Sequence, residues 1–233
     1  MSRETLNVAM LKCVECSATV DEHSANAVVV QADGKLVASG YASYSRRKGR
    51  ARFALVRYNA NGKLDMTFNG GGKVTTDFTR RQDVVLDLGL QADGKVVASG
   101  ISNSGGSNPK VALARYNANG SLDASFSGNG KVTTDFSGGY DEAWAVDLQP
   151  DGKIVVGGAT SGFGGRFLIA RYDSSGTLDS TFNGGGFAAT NLTRHDDFAF
   201  GLAVQADGNL VLAGGSGWGG SNPKIALARY LGT

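Results

Sequence analysis

The sequence predicts an all-β fold, a β-propeller of four four-stranded blades, and three observations carry that prediction. The first is an internal repeat in fixed register. An Asp-Gly turn recurs at Asp33, Asp93, Asp151 and Asp207, spaced 60, 58 and 56 residues, and an Arg-Tyr pair recurs at Arg57, Arg115, Arg171 and Arg229, spaced 58, 56 and 58. A period of this length marks stacked supersecondary units. The second is local pattern: short runs rich in Val, Ile, Ala, Phe and Tyr, bounded by Asp-Gly or Asn-Gly turns, with no sustained helical periodicity. The third is composition. The chain of 233 residues holds 35 Gly but only 3 Pro, which implies many tight turns and excludes collagen and proline-rich linkers.

The third copy shows the elements in order. "AWAVDLQ" leads through the turn "PDGK" to "IVVGGA"; a loop follows, then "FLIARYD", the long turn "SSGTLDSTFNGGG" and "FAATNL". Four short antiparallel strands are the unit of a propeller blade. Such a sheet has two apolar faces and needs a neighbour on each. A right-handed β-solenoid is the competing architecture, but its coils are shorter. The copies are bounded near residues 24–80, 83–138, 141–194 and 197–233, within one domain spanning 1–233.

The fourth copy reaches its third strand, "ALARY", without an equivalent of "GKVTTDF". Residues 13–18, "CVECSA", stand in register with residues 131–136 and are expected to supply the missing strand, which would remove an open sheet edge. Closure within one chain gives a four-bladed ring and is the first expectation. Closure between two chains that exchange this strand gives an eight-bladed ring.

The string "DGKIVVGG…ARYDSSGTLDSTF" resembles the delta-60 repeat family of bacterial proteins, over roughly residues 25–230. The resemblance implies a β-propeller-like repeat. Relatives of that kind are often parts of larger, secreted proteins of unassigned function, so the resemblance implies no activity.

A net charge of +2 gives no footprint for nucleic acid. No apolar run approaches the ~18 residues of a membrane span. The start "MSRETLNVAMLK" lacks the apolar core of a signal peptide, so the chain as written is expected in the cytoplasm. Cys13 and Cys16, on one strand, would lie ~10 Å apart on opposite faces, too far for a disulfide, and no second pair suggests zinc. Neither a cofactor nor a metal is expected. The "NANG" and "DSSG" turns lack the spaced oxygen ligands of a calcium loop and read as Asx turns.

Residues present in every copy serve what every blade needs. The repeated arginine lies on the same strand face as Phe167 and Ile169 and requires an acidic partner: Asp65, Asp123 and Asp179, or Asp77 and Asp135. Residues that differ between copies gather on one face, in the loops joining second to third strands and each blade to the next. Binding residues concentrate on such loops. This face collects Arg80, Arg81, Tyr140, Phe163, Arg194 and Trp218, with further cations at Arg46, Arg47, Lys48, Arg50 and Arg52. Arginine with aromatics suits an anionic or carbohydrate-like ligand. The function expected is a binding module for a small molecule, a glycan or a protein, as a monomer or homodimer. The alternative is an esterase-like hydrolase assembled from His195, Asp196 and Ser216, since a triad is defined by geometry and not by order.

Overall fold

The computed structural model describes residues 23–43, 50–161 and 165–232. Each copy folds as an antiparallel meander. The first blade holds β1 (His23–Val30), β2 (Leu36–Ser43), β3 (Ala51–Tyr58) and β4 (Lys73–Thr76), and the second β5 (Gln82–Leu90), β6 (Val96–Ser104), β7 (Lys110–Tyr116) and β8 (Lys131–Thr134). The third holds β9 (Tyr140–Leu148), β10 (Ile154–Ser161), β11 (Gly165–Tyr172) and β12 (Phe187–Thr190), and the fourth β13 (Asp196–Val204), β14 (Leu210–Trp218) and β15 (Lys224–Tyr230). Only a single parallel bridge, Ala51 to Gln82, links the first two sheets in the ladder. The third blade's first strand begins three residues earlier than its apolar run suggested, because Tyr140 and Asp141 pair with Ser161 and Thr160.

The repeated turns have a local cause. The Asp33, Asp93, Asp151 and Asp207 carboxylates each accept a backbone N–H two residues on, at 3.0 to 3.2 Å. The following Gly34, Gly94, Gly152 and Gly208 take φ of 78° to 85°, a conformation that a side chain disfavours.

The strands alternate their faces between neighbouring blades. Val111 and Leu113 of β7 join Ile154, Val156 and Leu168 of the third blade in one apolar cluster. Ala112, Ala114 and Tyr116 of the same strand join Phe53 and Leu55 of the first blade in another. Phe167 and Ile169 repeat the arrangement against Leu210 and Leu212 of the fourth blade. Consecutive blades thus stack through three like junctions.

The buried arginines tie each junction. Arg57, Arg115 and Arg171 each place Nε 2.8 Å from Asp65, Asp123 and Asp179. Each also donates from Nη1 to a carbonyl of the next blade, at Ala118, Ser174 and Gly232 respectively. Its guanidinium lies over Phe68, Phe126 or Phe182, the aromatic residue of the same motif. The other acidic candidates serve the loops: Asp77 pairs with Arg50 and Arg52, and Asp135 with Lys110.

Among the described residues the stack is open at both ends. On the first blade Val28 is 61% exposed, whereas its counterparts Leu88 and Val146 are buried. On the fourth, Ile225 is 92% and Leu227 68% exposed, whereas Phe167 and Ile169 at the same places are fully buried. The ring expected from the sequence is not closed by the described residues. The fourth blade shows three strands among them, and residues 13–18, which were to complete it, lie outside the described residues.

Candidate ligand-binding site

Every first strand carries a bulge at the same place. Pairing with the second strand skips Asn26 in β1, Leu86 in β5, Trp144 in β9 and Phe200 in β13. The cause is a glycine opposite. A Cβ on Gly40, Gly100, Gly158 or Gly214 would stand 1.8 to 2.0 Å from the carbonyl oxygen of Ser24, Val84, Glu142 or Phe198. The bulged backbone occupies the space of the missing side chain. A bulge leaves its extra residue out of the ladder and re-aims its side chain, a device common beside binding sites.

What occupies the bulge differs between blades. In the third and fourth it is aromatic, and the aromatics meet. Trp144 and Phe200 lie 5.6 Å apart edge to face. Phe198, two residues before Phe200, stacks on it at 6.3 Å, and Trp218 at the end of β14 closes edge-on against both at 6.4 and 6.5 Å. These spacings suit aromatic attraction, yet the cluster is not sealed: Phe200 and Trp218 are 46% and 48% exposed. Gly215 makes room for Trp218, since a Cβ there would meet the indole nitrogen at 2.3 Å. The matching positions in the other blades are Tyr41, Ile101 and Ala159.

Glu142 stands beside this cluster, on the same face of β9 as Trp144. It accepts the Trp144 indole N–H at 2.9 Å. Burial pushes its carboxyl above the usual glutamate range, and the indole hydrogen bond only partly opposes that. The site therefore offers exposed ring faces and edges next to a half-buried carboxyl that can both accept and, when protonated, donate hydrogen bonds.

The residues expected from the sequence are only partly brought to this feature. Trp218 is part of it, and Tyr140 starts the strand that carries Glu142 and Trp144, with its own ring 49% exposed. Arg194 and His195 immediately precede β13 and are exposed. Arg80 and Arg81 sit on the same face at the entry to β5, exposed and, among the described residues, without an ion pair. Phe163 lies outside the described residues. Of the hydrolase set, Ser216 is buried on β14, Asp196 accepts the Gly165 backbone N–H, and the His195 ring lies over Gly220. Among the described residues no hydrogen bond links those three side chains.

Asp197, with Asp83 and Asp141, is fully buried and accepts backbone N–H groups and a hydroxyl from the preceding loop. These aspartates pin the loop in every later blade. A separate cleft of 510 Å³ opens at the opposite face between the first two blades, lined by Gln31, Asp33, Lys35, Arg57, Thr67 and Ala118. Those are mostly repeated residues, so its shape belongs to the blade junction. Among the described residues no group of three or more His, Cys, Asp or Glu could hold a metal.

Glu142, Trp144, Phe198 and Phe200 were not singled out in the sequence because they lie in strands and not in loops. Their signal was present: at places where the first two blades carry Val84 and Leu86 or Ser24 and Asn26, the last two read "EAW" and "FAF".

Three segments of the chain, residues 31–68, 91–126 and 149–182, match a family described as a domain of unknown function (DUF5122) beta-propeller. The chain is a β-propeller-like repeat protein. Each matched segment runs from the first turn of a blade to the phenylalanine under its buried arginine, and so omits the bulged strands. No curated protein matches. Among solved structures, the chain is similar to a protein of unknown function from Dyadobacter fermentans DSM 18053, at 15% identity and a TM-score of 0.45, covering 81% of this chain and 56% of that one. It is also similar to a GH43_12 protein retrieved from a capybara gut metagenome, at 11% identity and 0.43, covering 90% and 42%. A glucose dehydrogenase matches at 14% identity and 0.44, covering 84% and 60%. The chain spans 42% to 60% of the length of these three. No helix of the described residues is long and apolar enough to cross a membrane.

Proposed function

We propose that the protein is a binding module that takes a carbohydrate-like ligand at the cluster of Trp144, Phe198, Phe200 and Trp218, between its third and fourth blades. The observation that carries this reading is the exposed aromatic cluster at bulge positions that are not aromatic in the other blades. A sugar ring presents apolar C–H faces to aromatic surfaces and hydroxyls to a carboxyl such as Glu142. Arg80, Arg81 and Arg194, exposed on the same loop face, favour a saccharide that carries negative charge, with Tyr140 as a further contact.

The two tryptophans of the chain are Trp144 and Trp218, so intrinsic fluorescence reports on the site directly. Glycan-array screening followed by fluorescence titration is expected to give saturable binding. Trp218→Ala and Phe200→Ala should each weaken it about tenfold or more, with unchanged melting. Glu142→Gln should remove a pH-dependent step in fluorescence above the usual glutamate range. Turnover of chromogenic esters that disappears in His195→Ala would replace this reading with the hydrolase. No binding on the array and no effect of the aromatic variants on any ligand would end it.

A further inference from the structure

We propose that the open outer faces of the first and fourth blades are two halves of one interface, occupied head to tail by a second copy of this chain. The fourth blade of each copy packs on the first blade of the other, continuing the three junctions already present within the chain.

The faces themselves argue for it. Leu55, Leu113 and Ile169 point toward the next blade and are buried there. Leu227 holds the same position in the fourth blade and is 68% exposed. Leu88 and Val146 point toward the preceding blade and are buried, whereas Val28 at that position is 61% exposed. Each exposed set is thus the half of a junction whose other half is exposed at the far end of the same stack.

The arginine makes the match residue-specific. Within the chain, the Nη1 acceptor is always the carbonyl three residues beyond the next blade's own arginine: Ala118 beyond Arg115, Ser174 beyond Arg171, Gly232 beyond Arg229. Arg229 uses Nε on Gln205 and Nη2 on Asp207, and its Nη1 has no acceptor among the described residues. By the same rule its acceptor is the carbonyl of Ala60, three residues beyond Arg57, and Ala60 is exposed on the outer blade. Two copies joined by a two-fold axis satisfy both junctions at once and leave no such face for a third.

Light-scattering mass of the full chain decides the matter. The expected mass is twice the 24.1 kDa of one chain. Leu227→Glu, and independently Val28→Glu on the other half, should return it to one chain with far-ultraviolet circular dichroism unchanged. Arg229→Ala should raise the dissociation constant about tenfold or more. A wild-type mass of one chain at every concentration overturns the proposal in favour of a closed or open monomer. A mass that grows beyond two copies overturns the closed pair. Should either glutamate variant fail to fold, the wild-type mass and the Arg229→Ala series still decide.

Discussion

Truncating Arg115 tests the physical basis of blade stacking. Its side chain is buried, with Nε 2.8 Å from Asp123, Nη1 2.6 Å from the Ser174 carbonyl, Nη2 3.0 Å from the Ser125 hydroxyl and the guanidinium 4.7 Å over Phe126. Arg115→Ala leaves the buried Asp123 carboxylate without its arginine, and the part-exposed Ser174 carbonyl without that donor. Breaking such a pair costs about 3–5 kcal/mol. Lys95 remains 3.5 Å from Asp123 and is only part-exposed, so the lower end, about 3 kcal/mol, applies. For a chain of this size that lowers the melting midpoint by about 6–12 °C. The control is Lys110→Ala, which removes a part-exposed pair with Asp135 at 3.3 Å and should cost at most about 1 kcal/mol. Thermal melts followed by circular dichroism distinguish the two. The double variant Arg115→Ala/Asp123→Ala should recover part of the loss, because the stranded charge is gone. Equal melting of Arg115→Ala and Lys110→Ala would refute the idea that these arginines hold the blades together.

Two further outcomes follow from the same scaffold. Hydrogen bonding from Thr67 lowers the Asp65 carboxyl to about 2, with the Arg57 and Lys35 charges helping against desolvation. For Asp123 and Asp179, burial alone would raise the carboxyl, but Ser125 or Thr181 and the neighbouring cations bring each to about 2. Their stabilisation is fully present above the unfolded value of 3.8 and is lost as pH falls toward 2; urea midpoints should fall steeply across that window, and a flat profile would contradict the pairing. Gly100→Ala places a Cβ 2.0 Å from the Val84 carbonyl oxygen, backbone that cannot swing away, and should cost about 3 kcal/mol by denaturant titration. Gly71→Ala meets nothing within 4 Å and should melt like the parent; equal effects would show that the bulges do not require glycine.

The architecture was legible because repetition separates scaffold from decoration. Two motifs in one register gave the blades, and the strand face of Phe167 and Ile169 placed the arginine. The choice between Asp65 and Asp77 was not legible, since both recur at fixed offsets. The long turn folds back so that the Asp65 N–H bonds to the Arg57 carbonyl, and that fold-back, invisible in spacing, decides it. The bulges were hidden for a related reason. In β9 the buried positions run 141, 143, 145 and then 146, a change of phase that short strands disguise. The loop arginines were legible as loop residues, but the aromatic cluster needed the bulge to bring strand residues out to it.

The bulge also explains why the residue at this place can vary without harm to the fold. A residue on either side of it pairs with the second strand and packs between blades, so its identity is constrained by a neighbour. Ala143 and Ala199 are fully buried in the third and fourth blades. Trp144 and Phe200 make no ladder pair with their second strands. Exchanging them breaks no pair of the strand ladder, and the same place holds Asn26 in one blade and Phe200 in another. Asn26 uses its amide to bond the Val85 carbonyl of the second blade, whereas Trp144 and Phe200 turn the corresponding space into an exposed aromatic surface. The repeat thus supplies four geometrically equivalent positions, and the chain has filled two adjacent ones with rings and set a half-buried carboxyl beside them. Under the proposed function, Phe200 and Trp218, which stand half in water, are the surface that the ligand covers.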